Sequence, residues 1–174
     1  FKLIEKFQVG NYLPSINDNV IYISGKFEFL HPFQINYLKS IKKKNNYLLV
    51  GVYGDEDIHT NFNKYPLLNV IERSLAMISC KYVNWVIVDA PYRITNELVK
   101  KYHIKKIYFG DCDYNKNDRF NKYSEITDIH VSRSLPPREL SSDFIFDQIR
   151  RRRKFVKSDI LKNEKYSEIK QELS

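Results

Sequence analysis

The sequence predicts an α/β fold, a doubly wound parallel sheet of about five strands covered by helices on both faces. Three observations carry this. Short apolar, β-branched runs alternate with runs of helical periodicity along most of the chain. Two of those apolar runs stop at a glycine, Gly25 and Gly110, as strand ends often do. The length, 174 residues, sustains one real core and falls short of what two domains usually need. Strands alternating with helices form parallel βαβ units.

The elements follow in order. Asn19–Ser24 (NVIYIS) is an apolar strand that reaches Gly25. Gln34–Lys44 places Ile35, Leu38 and Ile41 at helical spacing with lysines on the other face. Tyr47–Tyr53 (YLLVGVY) reads as a buried strand. Asn69–Cys80 reads as a helix, with Asn69 as its cap and Glu72 at the capping-box position. Trp85–Val88 is a third strand, and Thr95 caps a helix running to Tyr102 with Leu98 and Val99 inward. Lys106–Phe109 is a fourth strand and Ile126–Val131 a weaker fifth. The polar stretch Cys112–Ser124 reads as a long loop, Pro136–Pro137 as a break, and Ser141–Arg153 as a final helix capped by Ser141 or Ser142. The expected organisation is an extension or linker over residues 1–18, one domain over 19–153, and a polar, partly helical tail over 154–174. In such sheets ligands bind outside the carboxyl ends of the strands, near a switch in strand order. That directs attention to Gly25–Gln34, Gly54–Lys64, Pro91–Tyr92 and Gly110–Asp113.

Composition narrows the function classes. With 43% hydrophobic and 29% charged residues the chain is not a disordered one. Its longest apolar stretches fall well below the roughly 20 residues of a membrane helix. Phe1–Asn11 lacks the order of a signal peptide. The chain starts on Phe rather than Met, and the expectation is a fragment of a longer polypeptide. Cys80 and Cys112 make neither a metal pair nor a disulfide scaffold, and free thiols suit a reducing, cytoplasmic setting. The formal charge of +8 favours anionic partners, although the abundance of Lys, Asn, Tyr and Ile also matches AT-rich coding sequence. Arg150–Lys154 is a basic run at the end of the last helix, where the macrodipole favours it. It also fits an acidic sister domain or an anionic membrane surface, including peripheral contact with the endoplasmic reticulum. Nucleic acid is not expected, because no aromatic-interleaved surface or known motif accompanies the charge.

Four segments in succession, over roughly Asn19 to Arg150, resemble the cytidylyltransferases. IYISGKFEFLHPFQINYL is similar to a Gly-x-Phe-Asp element followed by His-x-Gly-His. YPLLNVIERSLAMISCKYVNWVIVDAPYRIT resembles an Asn-x-x-Glu-Arg helix, an Arg-Tyr-Val turn and an Ala-Pro-aromatic loop. YFGDCD resembles a Gly-Asp-Asp strand end, and LSSDFIFDQIR a Ser/Thr-rich helix start. Within that family the chain looks most like the second, cytidylyltransferase-like half of the CTP:phosphoethanolamine cytidylyltransferases, which carry Leu-Thr-Thr-Asp where this chain has Leu140, Ser141, Ser142 and Asp143. The resemblance implies a Rossmann-like nucleotidyltransferase fold. It also implies a parent enzyme that joins CTP and phosphoethanolamine into CDP-ethanolamine for phospholipid synthesis.

The resemblance further implies roles. His-x-Gly-His turns two imidazoles toward the α- and β-phosphates, where charge builds during transfer. Here it reads His31-Pro32-Phe33-Gln34. His31 is kept, Phe33 replaces the glycine, and Gln34 replaces the second histidine with an amide that never carries charge. The bland alternative is a plain helix start with His31 as a residual cap. Gly25 and Phe27 match the Gly-x-Phe element, with Glu28 in place of Asp. Lys81 stands for an arginine that contacts the nucleotide, keeping the charge without the planar fork. Lys64 lies near the position of a triphosphate-binding lysine but does not align with it, and no role is assigned to it. Tyr92 matches an aromatic of the aminoalcohol pocket and Asp111 an acid beside the substrate; both also read as ordinary core and turn residues. Ser141 and Ser142 match a phosphate-binding pair and read equally as helix caps. Leu135-Pro136-Pro137 replaces an Arg-Thr-Glu-Gly-type run.

Three functions follow. The favoured one is a catalytically degenerate cytidylyltransferase domain, structural or regulatory beside the N-terminal catalytic domain of the same protein, and able to bind CTP or a CMP-type ligand. The second is a working phosphoethanolamine or phosphocholine cytidylyltransferase, using Mg²⁺ brought with CTP and no metal held by the protein. The third is a basic interaction module for membrane or nucleic acid.

Overall fold

The computed structural model describes residues 7–8, 12–110, 130–134, 145 and 147–153. The chain divides into two compact units, Phe1–Pro136 and Pro137–Ser174. In the first, the elements run β1 (Val20–Gly25), α1 (Pro32–Ile41), β2 (Tyr47–Tyr53), α2 (Asp55–Phe62), α3 (Val70–Ile78), β3 (Trp85–Ala90), α4 (Asn96–Lys101), β4 (Ile104–Gly110) and β5 (His130–Ser134). In the second, residues 145 and 147–153 are helical, and Arg150–Arg153 are exposed. Ser141 and Ser142, the expected caps of that helix, lie outside the described residues.

The five strands form one parallel sheet in the order β3-β2-β1-β4-β5. This is the expected Rossmann-like α/β fold. The chain winds outward from β1 through β2 to β3, then returns to β4 on the other side. The switch in direction therefore falls between β1 and β4, at their carboxyl ends.

Alternation along β1 sorts its side chains. Ile21 and Ile23 enter one core with Leu38 and Ile41 of α1 and Met77 and Cys80 at the end of α3. Val20 and Tyr22 enter the other, against which Leu98 and Val99 of α4 pack. All seven residues of β2 are buried, as a strand covered on both faces requires. Gln8 seals the outer edge of β3: its side-chain amide accepts from Val86 N at 2.9 Å and donates to Val86 O at 3.3 Å, as a neighbouring strand would.

Two helix starts form as their sequences predict. Asn69 accepts from the Ile71 and Glu72 amides at 3.0 Å while the Glu72 carboxylate accepts from Asn69 N at 2.8 Å, a complete capping box. Thr95 caps α4 by accepting from Leu98 N at 3.2 Å. Strands β3 and β4 run past their expected ends, to Ala90 and back to Ile104, and three further elements differ from expectation. Helix α1 starts at Pro32 and stops at Ile41, where the Asn46 side chain takes over by accepting from Lys43 N and donating to Ile41 O. The fifth strand is found at His130–Ser134, so it extends past Val131, and residues 126–129 lie outside the described ones. Residues 55–62, within the Gly54–Lys64 stretch to which the sequence assigned no element, form α2, with three acids in the first turn and Asn63 in the left-handed conformation at its end.

Candidate functional site

The segment Gly25–Gln34 leaves the carboxyl end of β1 and turns into α1, beside the switch point. Its shape is set by close packing. A Cβ on Gly25 would stand 3.2 Å from the Phe27 ring, tighter than nearly all real contacts. Phe27 sits at φ 48°, an uncommon conformation for a bulky residue, and its ring is buried in the core under α1. Here the strand turns sharply, and a ring anchored in the core holds the turn.

Arg73 of α3 fixes the surroundings. Its side chain is fully buried and donates to Leu68 O at 2.9 Å, Lys26 O at 2.5 Å, Tyr53 O at 2.7 Å and Asp55 Oδ1 at 2.5 Å. One guanidinium thus ties the β1–α1 turn, the end of β2, the start of α2 and the approach to α3. The fork geometry of arginine suits such multiple bonding. Lys26 Nζ lies 4.4 Å from the centre of the Phe62 ring of α2, a second tie between the turn and α2.

Inside this frame three polar groups are shielded from water without a hydrogen-bond partner: both carboxylate oxygens of Glu28, Nδ1 of His31 and Oε1 of Gln34. Glu28 is 1% exposed. Among the described residues it pairs with Lys64, whose Nζ stands 3.9 Å from Oε2. His31 is buried at the N-cap position of α1, yet its side chain makes no capping hydrogen bond; only its carbonyl takes part, accepting from Ile35 N at 3.1 Å. Its ring stacks near Phe33, with centroids 6.3 Å apart. Burial pushes its pKa below the usual histidine value, so the imidazole is mainly neutral at pH 7. Buried polar groups are normally paired, and unpaired ones cluster where a ligand or strain belongs.

The structure thus brings Gly25, Phe27, His31, Phe33 and Gln34 together, and adds Glu28, Lys64 and Arg73. Tyr92 follows β3 at the same edge of the sheet, but the residue is 7% exposed and its ring packs edge-on against Tyr53 and Phe62 beside Ile58. Its amide donates to Asp57 Oδ2 at 3.0 Å. Tyr92 is thus part of a small aromatic core behind α2. Lys81 is exposed in the turn between α3 and β3, at the edge where the strands begin, and within one chain it does not join the group around His31. Asp111, Ser141 and Ser142 lie outside the described residues. Among the described residues no cluster of three His, Cys, Asp or Glu side chains could hold a metal ion, and no helix is long and apolar enough to cross a membrane.

Sequence reasoning passed over Arg73 and set Lys64 aside. The signal for Arg73 was its place directly after the capping-box glutamate, which puts it at the buried start of α3. For Lys64 the signal was only its place near a triphosphate-binding lysine of the family, since its meeting with Glu28 depends on a helix the sequence did not reveal.

Residues 22–170 match the family model described as Cytidylyltransferase-like. The chain is 34% identical over 99 residues to ethanolamine-phosphate cytidylyltransferase of Dictyostelium discoideum, covering 56% of this chain and 28% of that protein. It is 31% identical over 103 residues to the mouse (Mus musculus) ethanolamine-phosphate cytidylyltransferase, covering 58% and 26%. These matches span little more than a quarter of the relatives' own length. The crystal structure of the lipopolysaccharide core biosynthesis protein from Thermoplasma volcanium GSS1 superposes with a TM-score of 0.50 at 24% identity, over 64% of this chain and 93% of that one, a likeness of fold. The sheet order, the β1–α1 turn and the extent of the family match agree, and the chain belongs to the cytidylyltransferase-like family.

Proposed function

We propose that this chain is a second, catalytically degenerate cytidylyltransferase-like domain of an enzyme that makes CDP-ethanolamine from CTP and phosphoethanolamine, with a structural or nucleotide-sensing role beside a catalytic domain of the same protein. The observation that carries this reading is the first turn of α1. Transfer to the α-phosphate builds negative charge on the phosphates, and groups that meet it must carry or orient positive potential. His31 is buried and mainly neutral, Gln34 carries no charge, and Phe33 places a ring where the family motif has only a glycine. Loss of one such stabilising group typically lowers rate by roughly 10²–10³. In this reading Mg²⁺ arrives with the incoming triphosphate.

Calorimetry with CTP and Mg²⁺ at millimolar ligand tests the nucleotide-sensing role. Binding that weakens on His31→Ala supports a surviving site. No binding in folded protein leaves the scaffold role. Turnover of CTP and phosphoethanolamine at ordinary enzyme rates would overturn degeneracy.

One observation favours a second reading, a slow but working domain: Lys64 stands 3.9 Å from Glu28, in the same β1–α1 segment that carries the buried His31. Product formed at high enzyme concentration, and lost on His31→Ala, would support it over the first.

A further inference from the structure

We propose that the amino edge of the sheet is a docking face for an anionic lipid bilayer, where Tyr12, Leu13 and Ile16 enter the interface and Lys43, Lys44 and Lys105 meet the headgroups. This face lies opposite the mouth around His31, and its role holds whether or not the domain is catalytic.

The first observation is a turn that holds apolar side chains in water. Tyr12 is 61% exposed, Leu13 57% and Ile16 69%. Single exposed apolar residues are ordinary, but three within five positions form a patch. An isoleucine gains nothing from a turn, where Gly, Pro, Asn, Asp or Ser suit the backbone better. The turn is nevertheless firmly made. Asp18 N donates to Ser15 O at 3.1 Å, while Asp18 Oδ2 accepts from Ser15 N at 2.7 Å and from Ser15 Oγ at 2.9 Å. Pro14 is buried between the exposed Leu13 and Ser15. The Tyr12 ring packs on Tyr47 with centroids 5.5 Å apart, and the Tyr12 carbonyl accepts from the Tyr47 hydroxyl. Leu13 and Ile16 are thus carried on a fixed backbone that docking does not have to order.

The second observation is the charge beside that turn. Helices α1 and α4 both end at this edge. Lys43 and Lys44 follow α1, Lys100 and Lys101 close α4, and Lys105 lies at the start of β4; all five are exposed. Lys44 lines the same cavity as Tyr12 and Asp18. The acid of the segment, Asp18, is taken up by its own turn. The Ser15 amide foremost, then the Ser15 and Tyr12 hydroxyls and the nearby Lys105 charge, hold its carboxyl below the usual carboxylate value against desolvation. Nucleic acid would use the lysines but not Leu13 and Ile16, which offer no ring on which a base can stack. A bilayer uses both at once, with apolar side chains at the acyl boundary and lysines among anionic headgroups. Each lysine near such a surface strengthens partition by about fivefold. Each aliphatic side chain that inserts fully adds roughly tenfold or more.

The test is flotation of the 174-residue chain with phosphatidylcholine vesicles containing about 30% phosphatidylserine, against pure phosphatidylcholine. The wild type is expected to float with the anionic vesicles, less with the neutral ones, and to be released as salt rises. The double variant Leu13→Ser, Ile16→Ser should lose about tenfold or more in partition. Its Tm should stay unchanged, because both side chains are already in water. Lys43→Gln with Lys44→Gln should weaken partition several-fold on anionic vesicles only. No flotation of the wild type would overturn the proposal, as would full flotation of the Leu13→Ser, Ile16→Ser variant. Loss only on neutralising Arg150–Arg153 would move the contact to the second unit and overturn this face. Two further outcomes, each without vesicle binding, overturn it in favour of another occupant. Oligonucleotide binding that ignores Leu13→Ser, Ile16→Ser would assign the lysines to nucleic acid. A concentration-dependent dimer broken by that variant would assign the patch to a second copy of the chain.

Discussion

The two edges of the sheet treat buried polar groups in opposite ways. At the amino edge a cavity of about 280 Å³ is lined by Tyr12, Asp18, Lys42, Asn46, Asn84 and neighbours. There the Asn84 Oδ1 accepts from Leu48 N at 2.8 Å and from Lys42 Nζ at 2.6 Å. Asn46 bridges Lys43 N and Ile41 O, Asp18 accepts from Ser15 N at 2.7 Å, and the Tyr47 hydroxyl donates to Tyr12 O. At the carboxyl edge Arg73 is as fully engaged, but Glu28, His31 and Gln34 hold oxygens and a nitrogen without a hydrogen-bond partner. The lesson is that a polar cavity alone does not mark a site. At the amino edge the polar groups serve one another, and the strands are tied down. At the carboxyl edge a satisfied frame surrounds unsatisfied groups, the arrangement expected where a ligand completes the set.

Substitutions that break this contrast should differ in kind as well as size. Arg73→Met removes the frame itself, leaving three carbonyls and the Asp55 carboxylate without their donor. It should cost about 3–5 kcal/mol, the range for breaking a buried ion pair, measured by urea unfolding. A loss below about 1 kcal/mol would mean the frame is not held by this residue. Asn84→Ala strands the Leu48 amide and half of the Lys42 ammonium's bonding, and should cost about 1–3 kcal/mol. It should leave CTP affinity unchanged; an equal loss of binding would erase the distinction between the edges. Glu28→Gln should run the other way. It removes a buried carboxylate whose cation Lys64 stays partly solvated, so stability should hold or rise by about 1 kcal/mol while ligand binding falls. A marked loss of stability would make Glu28 a structural residue.

The smallest effect is one of pH. The His31 pKa is depressed in the folded chain, so between its folded value and the unfolded value near 6.5 the unfolded state binds more protons. Stability should therefore be complete above about pH 6.5 and decline as pH falls below it. His31→Asn should flatten that slope in unfolding curves taken from pH 7.5 to 5; an unchanged slope would assign it to other groups.

Much of the fold was legible because its signals are local. The alternation of NVIYIS and YLLVGVY with helical runs, the Asn69–Glu72 box and the Thr95 cap each act within a few residues, and each formed where expected. Helix α2 escaped because DEDIHTNF buries only Ile58, so no apolar stripe shows; its trace is Gly54 followed by three acids suited to a helix start. The site was legible to the extent that the turn after β1 carries it. His31, Phe33 and Gln34 are neighbours in sequence. The Glu28–Lys64 meeting joins a β1 turn to the end of an unseen helix, and Arg73 reads as one more polar residue on an amphipathic helix until the four elements around it are assembled. Tyr92 shows the converse: sequence placed it at a strand end, but only packing reveals that its ring belongs to the Tyr53 and Phe62 cluster.

Glycine at position 51 carries a last implication. In the middle of β2, a Cβ there would fall 2.1 Å from the Tyr22 hydroxyl of β1 and 2.9 Å from the Ala90 side chain of β3. Three adjacent strands therefore share one small volume, and Tyr22 fills it from the neighbouring strand. Descent should respect that sharing: a lineage that gains a side chain at 51 must already have trimmed position 22. Positions 22, 51 and 90 should then drift as a set, with the large residue first to change and the glycine last.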